Sequence, residues 1–243
     1  MSLSNIRIVL VEPSHPGNVG AAARAMKTMG LEKLYLVRPG RYPSKEAEDR
    51  AVSAVDILNG AVVTDDLQEA VSGCKLVIGG SGRAREFPLP SLDAREGGAR
   101  VVGEASTGAS VAVLFGSEKY GLTNQSLDAC SYQLRIPTNP DFTSLNMASA
   151  VQLVCYEIFM AAEGAEPTAE VDRSSYPSHE ELEFFYQHLE RTLEDRDFAG
   201  SINPDRVYAK LRRLITRARP KANELRLLHS LVRLMQWESW RQR

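Results

Sequence analysis

An α/β fold built on a mainly parallel sheet is predicted by two features of the first 160 residues. Short apolar runs suited to buried strands alternate with helical segments, and the connections between them are short. A third feature sets the rest of the chain apart: after a polar, proline-containing stretch the pattern becomes purely helical. In chain order, Ile6–Val11 (IRIVLV) is the first strand, and the helix formers that follow close on Gly30, suited to a helix C-terminus. Leu34–Val37 is the next strand. Ala47–Leu58 reads as one amphipathic helix, Ala61–Thr64 as a strand and Asp65 to about Ser72 as a helix. Lys75–Gly79, Val111–Gly116 and Tyr132–Ile136 complete the strands, and Ser144–Ala162 is a long helix. Residues 1–162 therefore form an α/β domain. Residues 163–177, with two prolines and no apolar period, read as a linker. Residues 178–243 carry three helices. The first opens on a capping box with Ser178 at the N-cap and Glu181 three residues on, and the second on Asn203 followed by Pro204 at its first position. The third runs from about Ala222 to Trp240, with Leu225, Leu228, Val232 and Met235 on one face.

Composition bounds the function. Of 243 residues, 43% are hydrophobic and 25% charged, the proportions of a globular protein rather than a disordered or fibrous one. No apolar run approaches the ~20 residues a membrane span needs. The first residues read as a strand rather than a secretion signal, so a cytoplasmic location is expected. Cys74, Cys130 and Cys155 are odd in number, widely spaced and free of any C-x-x-C, so neither a disulfide framework nor a metal site is expected. The net charge of −2 conceals an asymmetry. Residues 204–243 hold 11 Lys and Arg against 3 Asp and Glu, a balance of +8, and the remainder balances at −10. A basic end on an acidic body suggests an anionic partner for that end.

Three strand-to-helix loops carry unusual residues. Glu12–Arg24 contains G-x-x-G, which is not the dinucleotide fingerprint, and places Asn18 and Arg24 six residues apart, about 120° around a helix. Leu114–Thr123 puts Glu118 two residues beyond a strand-ending Gly116 and returns through Gly121 toward Thr123, a helix N-cap. Arg135–Gln152 passes two prolines and enters a helix near Ser144 and Asn146. Singly, Asn18 and Ser144 read as helix caps, Arg24 as a solvated arginine and the glycines as packing residues.

Together the three loops resemble a known family. Asn18-Val-Gly-Ala-Ala-Ala-Arg24, Phe115-Gly-Ser-Glu-Lys-Tyr-Gly-Leu122 and Ile136-Pro137…Ser144-Leu145-Asn146 are similar, in order and spacing, to the three motifs of the SpoU branch of the SPOUT methyltransferases. The likeness extends through about residue 162, and the helical tail with its LRRLITRARP segment resembles the TrmJ-type members. The resemblance implies a parallel α/β sheet ending in a deep trefoil knot and a homodimer with the site at the subunit interface. It implies S-adenosylmethionine as methyl donor, bound by Gly80, Ser81, Gly82, Gly116, Ile136, Thr143, Ser144 and Leu145. It also implies transfer to the ribose 2′-hydroxyl of tRNA, at nucleotide 32 of the anticodon loop. A ribosomal RNA or another tRNA position is the alternative target, and an RNA-binding protein without catalysis is the alternative class.

The catalytic set carried over by the motifs is Arg24, Asn18, Glu118, Ser144 and Asn146. In the family proposal Arg24 is the base or its activator. Because a guanidinium stays protonated, the alternative is that Arg24 binds the target phosphate and stabilises the developing alkoxide, with solvent or phosphate taking the proton. The other four then orient Arg24 and the ribose. In the tail, Arg206, Lys210, Arg213 and Arg217 recur at helical spacing on one face, with Arg212 and Arg219 widening it, and Val207, Leu211, Leu214, Ile215 and Ala218 provide the packing face. Such a stripe is suited to RNA phosphates, which give affinity without sequence information.

Overall fold

The computed structural model describes residues 3–81, 89–164, 176–196, 198 and 203–241. The chain divides into two compact units, Met1–Ala169 and Glu170–Arg243. The first is a seven-stranded sheet: β1 (Ile6–Val11), β2 (Lys33–Val37), β3 (Val62–Thr64), β4 (Cys74–Gly80), β5 (Ser91–Asp93), β6 (Ser110–Phe115) and β7 (Tyr132–Arg135). They lie in the order β3-β2-β1-β6-β4-β7-β5, and every pairing is parallel.

Side chains alternate across the strands, so β1, β2, β4 and β6 feed two cores. Ile6, Ile8 and Leu10 of β1 face the larger core, with α1 (Pro16–Thr28), α5 (Ala94–Ala105) and α7 (Met147–Gly164) packed over them. Val9 and Val11 face a smaller core under α4 (Leu67–Val71) and α6 (Asn124–Asp128). Burial on both faces explains why the strands read as continuous apolar runs. Cys74, Cys130 and Cys155 are buried free thiols, and burial pushes Cys155 up to about 12 and Cys130 higher, which leaves both un-nucleophilic.

Two expectations are corrected here. The single helix over Ala47–Leu58 is broken into α2 (Lys45–Ala51), a 3-10 turn (Val52–Ala54) and α3 (Val55–Asn59), with Val52 at φ 53°. The break lets Ala47 and Ala51 pack beneath α1 while Ile57 and Leu58 still reach the core. A Cβ on Gly20 would lie 2.0 Å from the Ala47 carbonyl oxygen, so α2 is clamped against α1 and the chain must turn afterwards. The strand β5 and helix α5 were not anticipated. The helix begins with a full capping box, Asp93 accepting from the Glu96 N–H and Glu96 accepting from the Asp93 N–H.

The second unit holds α8 (His179–Glu194), α9 (Pro204–Ala218) and α10 (Ala222–Arg241). Ser178 and Glu181 form the capping box, and Asn203 caps α9 ahead of Pro204. Phe185, Tyr186, Leu225 and Val232 are its core, with Leu182, Leu189, Ile215 and Leu228 packed against them. The packing face of α9 differs from the expected one. Leu214 is half exposed and Ala218 exposed, while Tyr208 is buried and Arg212 turns inward. The Arg212 guanidinium pairs with Glu183 and, at 3.2 Å, Glu190, and lies 4.4 Å from the centre of the Tyr186 ring. Arg212 is thus neutralised within this unit and does not widen the basic surface. The two glutamates of α8 draw it in, because a half-buried guanidinium needs paired carboxylates.

Candidate active site

The carboxyl ends of β1, β4, β6 and β7 gather the three loops that carry the motif residues, as open parallel sheets do. A cavity of about 330 Å³ lies there. Of the eight residues expected to hold a cofactor, Gly80, Ser81, Gly116, Ile136, Thr143, Ser144 and Leu145 all line it. Gly82 lies outside the described residues. Phe115, Leu134, Thr138 and Met147 also line the cavity and were not foreseen. Loop motifs point to backbone and hydroxyl groups, whereas the ends of buried strands and the first turn of α7 carry no distinguishing residue type. Several glycines here serve the protein's own backbone. A Cβ on Gly116 would lie 2.0 Å from the Gly121 carbonyl carbon, because the 117–121 loop folds back through an antiparallel bridge between Ser117 and Gly121. Gly121 takes φ +66° to make that return.

Beside the cavity, Glu118, Asn18 and Asn146 form one hydrogen-bonded chain. Asn18 Nδ2 donates to Glu118 Oε1 at 2.8 Å, and Asn146 Nδ2 donates to Asn18 Oδ1 at 3.1 Å. Asn146 Oδ1 in turn accepts from the backbone N–H groups of Ala148 and Ser149 at 2.9 and 3.3 Å. Asn146, not Ser144, therefore caps α7; an amide one residue before the helix reaches its first free donors. Glu118 lines the cavity, while Asn18 and Asn146 line an adjoining open cleft of about 890 Å³ with His15, Arg50, Ser149 and Gln152.

Four donors converge on the Glu118 carboxylate. Besides Asn18, the Ser14 N–H and hydroxyl donate to Oε2 at 2.9 and 2.7 Å, and the His15 N–H reaches Oε1 at 3.3 Å. Partial burial raises its pKa, but the bonds from Asn18 and Ser14 outweigh this and hold the group down at about 2. A carboxylate so held is a poor proton acceptor near neutrality, and its bonds tie together the loops that carry Ser14, Asn18 and Glu118. By linkage, its contribution to stability is complete above the ordinary glutamate range near 4.5 and fades as pH falls toward about 2. Glu118→Gln is expected to lower the denaturation midpoint at pH 7. The deficit against wild type should shrink at pH 3; an equal deficit at both pH values would refute the charged role.

Arg24 stands apart from this chain. It is exposed on α1, and among the described residues its guanidinium has no hydrogen-bond or ion-pair partner. The expectation that Asn18, Glu118, Ser144 and Asn146 orient Arg24 does not hold within one copy: the bonds of Asn18, Glu118 and Asn146 go to one another, to Ser14 and to backbone. Six residues along a helix turns Arg24 away from the Asn18 face. In the other unit, Arg206, Lys210 and Arg217 of α9 are exposed and Arg213 is half-buried. Among the described residues no group of three or more His, Cys, Asp or Glu could hold a metal ion, and no helix is long and apolar enough to cross a membrane.

Comparison with known proteins gives two family matches. The SpoU rRNA Methylase family matches residues 5–156, and the C-terminal domain of the tRNA methyltransferase TrmJ matches residues 180–243. A Yersinia enterocolitica protein named tRNA (cytidine/uridine-2′-O-)-methyltransferase TrmJ is 47% identical over 234 residues, covering 95% of this chain and 91% of its own. Among solved structures, TrmJ from Z. mobilis ZM4 superposes with a TM-score of 0.82 at 30% identity, over 95% of this chain and 98% of that one. A probable methylase family protein from Haemophilus influenzae Rd KW20 has a TM-score of 0.65 at 40% identity, covering 99% and 100%.

Proposed function

We propose a function from the premise that the chain belongs to the SpoU methylase family: it transfers a methyl group from S-adenosylmethionine to the ribose 2′-hydroxyl of tRNA, at nucleotide 32 of the anticodon loop. The observation that carries this reading is the meeting of a small mixed-polarity cavity with the Glu118–Asn18–Asn146 chain at the strand ends. The cavity's chemistry fits the donor. Phe115, Leu134, Ile136 and Met147 offer apolar surface for a flat base, and Ser81, Thr138, Thr143 and Ser144 offer hydroxyls for the sugar and the amino-acid end. Its volume lies at the lower end of the range for small-molecule sites. Gly80, Ser81, Gly82, Gly116, Ile136, Thr143, Ser144 and Leu145 are assigned to binding, within the knot expected of the family.

S-adenosylmethionine supplies, when bound, a methyl group on a sulfonium centre that leaves without help from a metal. The chain's own residues then have three tasks. They hold the ribose oxygen beside the reacting methyl, a proximity effect worth several kcal/mol, about 7 or more in well-oriented cases. They exclude water from the cavity. They stabilise negative charge on the 2′-oxygen as its proton leaves to solvent or a phosphate. Arg24 is assigned the last task, as a fixed cation. Asn18 and Asn146 are assigned to orient the ribose entering from the open cleft. A homodimer is part of this reading: Leu153, Tyr156 and Met160 repeat at helical spacing on α7 and are each more than 40% exposed, an apolar face suited to a second copy. Arg24 on the neighbouring α1 is then supplied at the subunit interface. The basic face of α9 is assigned to RNA phosphates.

Two measurements test the proposal. Labelled methyl transfer to bulk tRNA and, separately, to rRNA, followed by nucleoside mapping, is expected to give 2′-O-methylcytidine or 2′-O-methyluridine at tRNA position 32. Label in rRNA alone, or none, would overturn it. Calorimetric titration with S-adenosylmethionine in excess chelator is expected to match the titration without chelator; loss of binding on chelation would refute a metal-free site.

A further inference from the structure

The direction of every amide in the Glu118–Asn18–Asn146 chain follows from its first member. A carboxylate only accepts, so Asn18 must turn its Nδ2 toward Glu118. That leaves Asn18 Oδ1 facing Asn146, which must turn its own Nδ2 toward it. Asn146 Oδ1 is then committed to the first N–H groups of α7. Asn146 Oδ1 thereby accepts twice and Asn18 Oδ1 once, and each amide nitrogen retains one hydrogen that these bonds do not use. The pair consequently has an N–H donor left on each amide for whatever occupies the cleft it lines. Donors fixed before the reaction are what a developing alkoxide needs.

The first member of this chain is held in place by the donors on Glu118. Of the four donors on that carboxylate, one side-chain hydroxyl contributes: Ser14 Oγ, at 2.7 Å, beside the Ser14 N–H on the same oxygen. Ser14 lies in the β1–α1 loop, two residues before α1, and bridges it to the loop after β6. We propose that Ser14 is a positioning residue for methyl transfer: by anchoring Glu118 it holds the chain through Asn18 and Asn146 in place. Ser14 touches neither cavity and acts through Glu118. This inference rests on the proposed methyl transfer, and its test separates the two.

The test uses the full-length protein with Ser14→Ala, Ser14→Cys and Ser14→Thr. The cysteine keeps the size and weakens the donor, and the threonine keeps the hydroxyl. Two readouts are taken: turnover with labelled S-adenosylmethionine and tRNA, and the NMR titration of the Glu118 carboxyl carbon. Ser14→Ala and Ser14→Cys are expected to lower kcat about tenfold with KM nearly unchanged, and to raise the Glu118 midpoint by about one pH unit, the scale of one charge-assisted hydrogen bond. Ser14→Thr should restore both. In a Glu118→Gln background, Ser14→Ala should cost nothing further, since both changes break one relay. An unmoved Glu118 midpoint, full activity in Ser14→Cys, or additive losses in the double variant would each overturn the inference. If wild type methylates no RNA, the functional reading fails, while the carboxyl titration still decides whether Ser14 anchors Glu118.

Discussion

Arg24→Ala is expected to abolish methyl transfer to tRNA, lowering kcat by about 10²–10³, while leaving the fold and the binding of S-adenosylmethionine intact. The asymmetry follows from where the side chain lies. Arg24 is exposed and its guanidinium makes no hydrogen bond or ion pair among the described residues, so truncation removes neither there, and such surface changes usually shift stability by less than about 0.5 kcal/mol. It also lies outside the residues lining the cavity, so the affinity for S-adenosylmethionine should hold. What is lost is a fixed positive charge needed when the ribose oxygen becomes negative, which appears in kcat and kcat/KM together. Arg24→Lys keeps the charge without the planar fork and should recover only part of the rate. A variant that unfolds, or one with near-normal turnover, would remove Arg24 from the catalytic set.

The residues of the three motifs could be picked out in the chain because the chemistry demands particular types: an amide, a carboxylate and glycines where loops double back. Their bonding could not. That Asn18 binds both Glu118 and Asn146 depends on loops 100 or more residues apart meeting at the strand ends. Ser14 carried no signal beyond a hydroxyl next to a motif. The missed helix α5 has a definite cause. Gly97 and Gly98 weaken its helical signal, yet both are required by packing: a Cβ on Gly97 would lie 2.5 Å from Leu134 Cδ1, and one on Gly98 2.8 Å from the Glu157 backbone. Close approach to β7 and α7 is a tertiary demand that local propensity does not register. Arg212 makes the complementary point. Helical periodicity marked α9 as two-faced but could not show that Glu183 and Glu190 of α8 would turn one arginine inward.

The basic face of α9 gives the second large effect. Replacing Arg206, Lys210, Arg213 and Arg217 together with glutamine is expected to weaken tRNA binding by orders of magnitude at moderate salt and to flatten its salt dependence. Glutamine has nearly the helix propensity of lysine and arginine, so α9 should persist. The core of its unit, formed by Phe185, Tyr186, Leu225 and Val232 with Ile215 against it, is not altered, nor is the Arg212 cluster. The charge balance of residues 204–243 falls from +8 to +4, while the remainder stays at −10. If each cation displaces one counterion from a single-stranded loop, the slope of log K against log salt should become shallower by about 0.7 per contact, nearly 3 for four. Because these contacts carry affinity rather than chemistry, the variant should keep its binding of S-adenosylmethionine and regain turnover as tRNA concentration rises, a KM effect where Arg24→Ala is a kcat effect. Deleting residues 163–243 should be more severe on RNA and should still leave binding of S-adenosylmethionine, since the cavity is lined wholly from residues 80–150. An isotherm and salt slope matching wild type would mean that the stripe is a solvated face and that the RNA docks elsewhere.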